Sequence, residues 1–425
     1  MRLVICDYAG HPFQVELSRC LAERGHFVLH LHAEGVRTPK GTVTQSPHDP
    51  PNFQVEGIHT GQKLSKEKFL RRRVVEMKFG ELLAQRAMKF NPDLVVGCNM
   101  PLDAQKRVRD ACAKASVRFV FWLQDILSKA TYHYLSIKYG LLGRAIGLYY
   151  MKLERELLQS SDAIVAISER FLEPLARWGI SGRSVRVIPN WAPLGEIYPV
   201  DKDNKWARMQ GLHDKNVALY SGTLGLKQDS AQLLELAVRG KERGIHVVVA
   251  SEGPSTERLA KSKQEMSLTN LVIVPFQPMN CYPEVLGSAD ILLATLGEMA
   301  GGFSVPSKIL SYLAAGKPIV ASVAEDNDAA SIIRLSQAGY VVAPSDAQAF
   351  CNCVFELSAD RDLRDQLGRK ARAFAELHFD IETITDQFEK VFRDVSHAGQ
   401  NERLASLVIN KNRGARDRLR RIGLS

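Results

Sequence analysis

Ser304-Val305-Pro306-Ser307-Lys308-Ile309-Leu310-Ser311-Tyr312-Leu313-Ala314-Ala315-Gly316-Lys317-Pro318-Ile319-Val320-Ala321-Ser322 reads as an anion-facing loop, a two-turn helix and a buried strand in succession. Pro306 suits a first helical turn and Ser307 can cap exposed N–H groups. The helix start offers partial positive charge to an anion, and Lys308 adds a full charge there. Gly316 followed by Pro318 stops the helix, and Ile319-Val320-Ala321 is short, apolar and β-compatible, as a central parallel strand requires. Any αβ repeat needs such a stop, so the stretch taken alone is equally readable as plain structure.

The same alternation runs outward along the chain. Leu3-Val4-Ile5-Cys6, the loop Asp7 to Pro12, an amphipathic segment from Phe13 to Glu23 and the apolar run Phe27 to His32 form a βαβ opening. Further strand signals are Asp93 to Gly97, Phe119 to Leu123 and Ala163 to Ile167. Two prolines and a glycine break the pattern over Ile188 to Gly195, which marks a linker. Alternation restarts with strand signals at 217–220, 246–250, 271–274, 291–294 and 319–321. The expected division is a first domain over 1–190, a linker over 191–205, a second domain over 206–375, a helix over 376–399 crossing back to the first domain, and a basic tail over 400–425. Two such α/β domains place a cleft between the carboxyl ends of their sheets, where ligands of these folds bind.

Composition narrows the class. At 425 residues the chain exceeds what one core supports, so two domains of about 200 residues are expected. With 45% hydrophobic and 24% charged residues it is neither disordered nor an integral membrane protein, and no apolar run approaches a spanning helix. The amino terminus lacks a secretion signal, since Asp7 interrupts its apolar run, and the chain is expected in the cytoplasm. Seven scattered cysteines show no paired zinc spacing and read as small buried residues of a reducing compartment. The net charge of +9 lies entirely in residues 1–200, and residues 63–89 hold nine basic side chains against three acidic ones. The last fifteen residues hold six against one, so two basic zones point to an anionic partner, membrane or nucleic acid.

The second domain opens with Tyr220-Ser221-Gly222-Thr223-Leu224-Gly225-Leu226-Lys227, a strand running into a glycine-containing loop. Its glycines let backbone N–H groups approach a ligand, and Lys227 and Lys308 at one sheet edge favour a diphosphate. These motifs, together with Ser251-Glu252-Gly253-Pro254, Val305-Pro306-Ser307-Lys308 and Leu313 to Pro318, resemble the donor-binding domain of family 4 glycosyltransferases. Ala166-Ile167-Ser168-Glu169 and Val187 to Trp191 fit the end of that family's first domain. The resemblance covers about residues 1–395 and is closest to the bacterial branch of L-fucosamine and colanic-acid enzymes, which build lipid-linked surface polysaccharides.

The resemblance implies an α/β protein of GT-B fold, two Rossmann-like doubly wound domains facing a central cleft. It implies retaining transfer from a nucleotide sugar, UDP-linked here, with no metal or other cofactor. Carried over by position, Lys227 holds the donor diphosphate and Gly10 belongs to the first-domain loop that meets it. Gly222, Thr223, Glu252, Gln277, Ser307 and Lys308 complete the expected donor site. The family's pair of glutamates falls on Phe303 and Ser311, neither acidic; Ser311 offers the ribose only a hydroxyl, and Glu298 is a candidate substitute. The leaving diphosphate gains charge in the transition state, so lysines and loop N–H groups must stabilise it.

In the first domain, Asp125 follows a strand end and can contact an acceptor hydroxyl or the donor sugar, or else cap a helix. His11 can touch the sugar or close a turn, and His133 and Asn190 are weaker candidates. Tyr132 to Leu158 mixes five tyrosines with leucines, Lys138, Arg144 and Lys152, which suits an interfacial helix pair on anionic lipid. No nucleic-acid-binding motif is evident, which favours the inner face of the cytoplasmic membrane as the anionic partner. The other expected partners, a nucleotide sugar and a polyprenyl-diphosphate-linked saccharide acceptor, are what the resemblance implies. Two alternatives stay open: a non-hydrolysing UDP-sugar epimerase, and a catalytically degenerate scaffold for polysaccharide assembly.

Overall fold

Short apolar runs that bury both faces build two parallel sheets, as the computed structural model describes over residues 1–34, 43–61, 69–182, 185–224, 230–297 and 307–397. The first domain runs β1 (Arg2–Asp7), α1 (Pro12–Glu23), β2 (Phe27–Ala33), β3 (Phe53–Ile58), α2 (Phe69–Lys89), β4 (Leu94–Cys98), α3 (Leu102–Ala115) and β5 (Arg118–Leu123). It continues through α4 (Leu127–Gln159), β6 (Ala163–Ala166), α5 (Leu172–Arg177) and β7 (Val185–Val187). The sheet order is β3-β2-β1-β4-β5-β6-β7, every described pairing parallel. The order reverses between β1 and β4, which opens a crevice beyond their carboxyl ends.

The second domain contains α6 (Lys205–Met209), β8 (Asn216–Ser221), α7 (Ala231–Gly240), β9 (Ile245–Ala250), α8 (Pro254–Glu265), β10 (Leu271–Val274) and α9 (Tyr282–Gly287). It ends with β11 (Ile291–Thr295), α10 (Ser307–Ala314), β12 (Ile319–Ser322), α11 (Asp328–Ser336), β13 (Gly339–Val342), α12 (Ala347–Ala359) and α13 (Arg361–His378). Its order β10-β9-β8-β11-β12-β13 reverses between β8 and β11. The two-turn helix and strand read from residues 307–322 are α10 and β12. The edge strands β3, β7 and β13 were not among the strand signals: each is short or only half-buried, so no apolar run marks it.

Three contacts set the domains together. Trp191, beyond β7, is buried in the first domain, where it stacks on Trp122 at 6.0 Å and meets Phe13 at 5.2 Å. A break at Phe379 and Asp380 ends α13, and residues 381–397 form a helix that lies on the first domain. Phe388 of that helix packs its ring 4.7 Å from Trp122, while Arg24 pairs with Glu382 at 2.5 Å and Asp386 at 2.6 Å. Arg170, after β6, pairs with Asp328 at the start of α11 at 2.6 Å, so the carboxyl edges of the two sheets face one another.

α4 is a hairpin rather than one rod. Gly140 leaves the helical region (φ 56°, ψ −129°), and the two halves run back along each other. A β-carbon at Gly143 would lie 1.8 Å from the Leu135 carbonyl oxygen, and one at Gly147 would lie 2.7 Å from Tyr132 Cα, so only glycine admits this contact. At the open end the Glu154 carboxylate accepts from the backbone N–H groups of Leu127 (3.0 Å) and Ser128 (3.1 Å). The helix-capping role considered for Asp125 therefore falls, for these two N–H groups, to a carboxylate 27 residues downstream of Leu127.

Candidate functional site

The first-domain crevice is shaped by a buried carboxylate. Asp7, the last residue of β1, accepts from the backbone N–H of Ala9 (3.0 Å) and His11 (2.8 Å). The Gln14 amide, with its nitrogen turned to Asp7, donates to the same carboxylate at 2.7 and 2.9 Å. These bonds fold residues 8–11 into a tight loop with Gly10 at φ 72°. His11 occupies the position before α1, stacks on Phe13 at 5.6 Å, and places Nε2 2.9 Å from Asn99 Nδ2. Asn99 follows β4, so the His11–Asn99 contact spans the crevice between β1 and β4. With the amide donating, Nε2 is the acceptor of this contact.

Gln124 and Asn190, beyond β5 and β7, exchange two amide hydrogen bonds of 3.2 and 2.6 Å. That pairing occupies Asn190. Asp125 is half-buried beside them on the same sheet edge. His133 is exposed on α4.

The second-domain crevice is built around tyrosines. Lys308, on the first turn of α10, donates to the Tyr220 hydroxyl at 3.1 Å and lies 4.7 Å from that ring's centre. Burial holds its ammonium down at about 8. One turn later Tyr312 accepts from the Ser221 N–H (2.9 Å) and stands 3.1 Å from the Leu293 carbonyl, tying α10 across β8 and β11. Tyr220 itself donates to the Thr223 carbonyl at 2.7 Å. Gly222 has φ 127°, and a β-carbon there would stand 3.3 Å from Lys308 Cε, so a glycine keeps the loop open above the lysine.

The remaining expected donor-site residues fall around this crevice in different ways. Thr223 is exposed at the mouth. Ser311 is half-buried, and it and Ser221 lie near the Tyr282 phenol. Glu252 is exposed after β9 and accepts from the Phe276 N–H at 3.3 Å. Gln277 is turned inward: its carbonyl accepts from Trp206 Nε1 (2.9 Å) and its amide donates to Pro275 O (2.9 Å). Ser307 begins α10. Lys227, Glu298 and Phe303 lie outside the described residues. Reading by motif missed Asn99, Gln124, Tyr220 and Tyr312, because their roles depend on partners far along the chain. For Tyr312 alone a local signal exists, its i+4 spacing from Lys308 on one helix face.

Comparison with known proteins matches this arrangement domain by domain. Residues 13–195 match the family model described as Glycosyltransferase Family 4, and residues 202–374 match Glycosyl transferases group 1. A protein of Escherichia coli (strain K12) named for colanic acid biosynthesis glycosyl transfer, WcaI, is 27% identical over 56% of this chain and 58% of its own length. WbjE of Pseudomonas aeruginosa, named as a glycosyltransferase, is 26% identical over 52% of this chain and 54% of its own length. The chain thus spans less than two thirds of these relatives. Among solved structures, sucrose-phosphate synthase from Thermosynechococcus elongatus superposes with a TM-score of 0.70 at 15% identity, covering 94% of this chain and all of that one. Anabaena HepE, solved with UDP-glucose, gives 0.70 at 16% identity over 93% of this chain and all of that one. With one family model on each domain and two parallel sheets that reverse order at facing edges, the chain belongs to the family 4 glycosyltransferases of GT-B architecture.

Proposed function

We propose that this chain is a retaining glycosyltransferase that moves a sugar from a UDP-sugar to a lipid-linked saccharide in bacterial surface polysaccharide synthesis. The observation that carries the reading is the second-domain crevice, where Lys308 stands on Tyr220 with no carboxylate within 4 Å among the described residues. An ammonium held in that way is suited to the charge of a diphosphate. The names of WcaI and WbjE support a polysaccharide product, and HepE's complex with UDP-glucose supports UDP as the nucleotide.

In the proposed reaction the bond from the sugar's anomeric carbon to the diphosphate breaks, and its electron pair leaves with the diphosphate. The acceptor hydroxyl oxygen bonds to that carbon on the same face. Its proton passes to a non-bridging oxygen of the departing diphosphate, so neither a dedicated base nor a metal is required. Lys308 and the loop N–H groups stabilise the growing charge, joined by Lys227 and by Gly10 in the opposite domain. His11 and Asp125, on the facing edge, contact the donor sugar and the acceptor hydroxyl.

The acceptor's lipid end is met at the hairpin tip. Ile137, Leu141 and Leu142 are 70%, 82% and 67% exposed around Gly140, and Lys138 lies between Tyr134 and Tyr139. An apolar tip rimmed by tyrosine and lysine suits the headgroup layer of an anionic membrane. None of the described helices is long and apolar enough to cross a membrane.

Calorimetric titration with UDP, GDP and their sugars, on the parent and on Lys308→Met, tests the nucleotide assignment. UDP binding weakened by the substitution supports it. No nucleotide binding at all would reject transferase and epimerase alike and leave the scaffold reading.

A further inference from the structure

A cavity of about 710 Å³ lies at the opposite end of the second sheet from the crevice. It is a groove between α13, the start of β12 and the crossing segment at Pro199 and Lys202, and the sugar-transfer chemistry makes no use of it. Six cationic side chains line it against three carboxylates.

The pairing among those charges is uneven. Asp290 takes Lys202 in a close ion pair, Glu376 takes Arg372 at 2.8 Å, and Asp365 lies 3.8 Å from Arg361. Arg364 spends its guanidinium on the carbonyls of Leu357 (2.6 Å) and Ser358 (2.9 Å). Arg372 likewise holds the Ala314 carbonyl at 2.8 Å, which fixes α13 against the end of α10. Lys317 and Arg369 are left over: among the described residues neither makes a side-chain hydrogen bond or has a carboxylate oxygen within 4 Å. Lys317 is half-buried, and burial pushes its ammonium below the usual lysine range, partly offset by the charge of Asp290 and, more weakly, of Asp365 and Asp201, with Lys202 acting in the same sense as burial. An ammonium withdrawn from water with no carboxylate in direct contact is costly, and a bound anion offsets that cost. The floor also admits close approach, because Gly316 and Gly368 abut so tightly that a β-carbon on Gly368 would stand 2.5 Å from the Gly316 carbonyl oxygen.

We propose that this groove is a second anion site of the protein, in which Lys317 and Arg369 grip a phosphate or diphosphate group carried by a soluble metabolite or a lipid headgroup. The two cations have no ion-pair partner among the described residues, and the neighbouring arginines, already fixed on carbonyls and carboxylates, form walls that need little reordering on binding. The site lies on the back of the domain assigned to the donor, so an anion there does not compete with nucleotide in the crevice.

The test is calorimetric titration of the full chain with inorganic pyrophosphate, comparing the parent, Lys308→Met and the double variant Lys317→Met/Arg369→Gln. A parallel flotation uses vesicles of phosphatidylcholine with phosphatidylglycerol. Thermal melts of all three check folding, and Arg369→Gln alone, at an exposed position, serves if the double variant fails to fold. The expected result is pyrophosphate binding that survives Lys308→Met and weakens about tenfold or more in the groove variant, with strong salt dependence. Weakening of vesicle binding rather than of soluble pyrophosphate binding assigns the group to a lipid headgroup. Binding of both probes unchanged in the groove variant, or pyrophosphate binding wholly abolished by Lys308→Met with vesicle binding unaltered in the groove variant, overturns the proposal.

Discussion

Lys308 Nζ stands 3.1 Å from the Tyr220 hydroxyl and over the Tyr220 ring, so the charge at the centre of the second-domain crevice rests on a phenol rather than a carboxylate. Burial lowers the ammonium to about 8 in the ligand-free protein. A diphosphate binds the charged form better, so nucleotide affinity is expected to be level between pH 6 and 7 and to fall as pH rises through 8. Lys308→Met should remove that pH dependence and weaken UDP binding by about tenfold or more. Titration calorimetry from pH 6 to 9.5 on both proteins checks this. A parent whose affinity is flat to pH 9.5 would deny Lys308 a place at the diphosphate.

Arg170 and Asp328 make a pair at 2.6 Å between the facing sheet edges, with side chains 33% and 20% exposed. A pair this open to water contributes little to stability, about 0–1 kcal/mol. Its effect is expected on domain geometry instead. Arg170→Ala should leave the thermal midpoint nearly unchanged while raising the radius of gyration in small-angle scattering, and high salt should do the same to the parent. If salt and substitution both leave the scattering unaltered, the pair does not hold the edges together.

Glu16, on α1, is raised to about 7 by burial; the Trp191 indole that donates to it at 2.6 Å lowers it, and nearby Glu196 raises it further. Its folded value lies above its unfolded one, so the proton is bound more tightly in the native state. The stabilisation is complete below about pH 4.5 and is lost as pH rises through 7. Glu16→Gln keeps an acceptor for Trp191 and has no charge to desolvate. It should be more stable than the parent at pH 8 by on the order of 1–2 kcal/mol, with the advantage vanishing near pH 4.5. Urea unfolding at the two pH values measures the difference. Glu154, also raised to about 7 by burial, retains part of the parent's pH dependence in the variant.

Where the chain advertises itself is in its fully buried strands. Leu94 to Cys98, Phe119 to Leu123, Val247 to Ala250 and Ile319 to Ala321 are apolar throughout because both faces are covered, and such runs need no partner to be recognised. The edge strand β3, Phe53–Ile58, carries Gln54 and Glu56 toward water, and Glu56 pairs with Arg86 of α2, a contact that only the fold supplies. The candidate site divides in the same manner. His11, Gly10, Gly222 and Lys308 stand in motifs at strand or helix ends, where sequence position alone aims them at the cleft. Asn99, Gln124 and Tyr220 become informative only when loops 66 to 88 residues apart are brought together. The tyrosine-rich segment reads as a helix pair from composition, whereas its turn at Gly140 rests on one backbone angle and on two glycines that let the halves touch.

That hairpin separates packing from membrane affinity. Gly143→Ala puts a methyl group where the Leu135 carbonyl now lies, and the contact of 1.8 Å can be relieved only by parting the two halves. Backbone cannot yield as a flexible side chain does, so a loss of about 2 kcal/mol or more is expected in urea unfolding. Leu141→Ser/Leu142→Ser acts oppositely. Both side chains are already largely in water, so stability should change by no more than about 0.5 kcal/mol. Two leucines entering the headgroup layer gain an apolar contact worth about 1.5–3 kcal/mol each, so their loss should cut binding to anionic vesicles by more than tenfold. Vesicle flotation that remains as strong in the double serine variant as in the parent would mean that the tip does not meet the membrane, whatever the unfolding curves show.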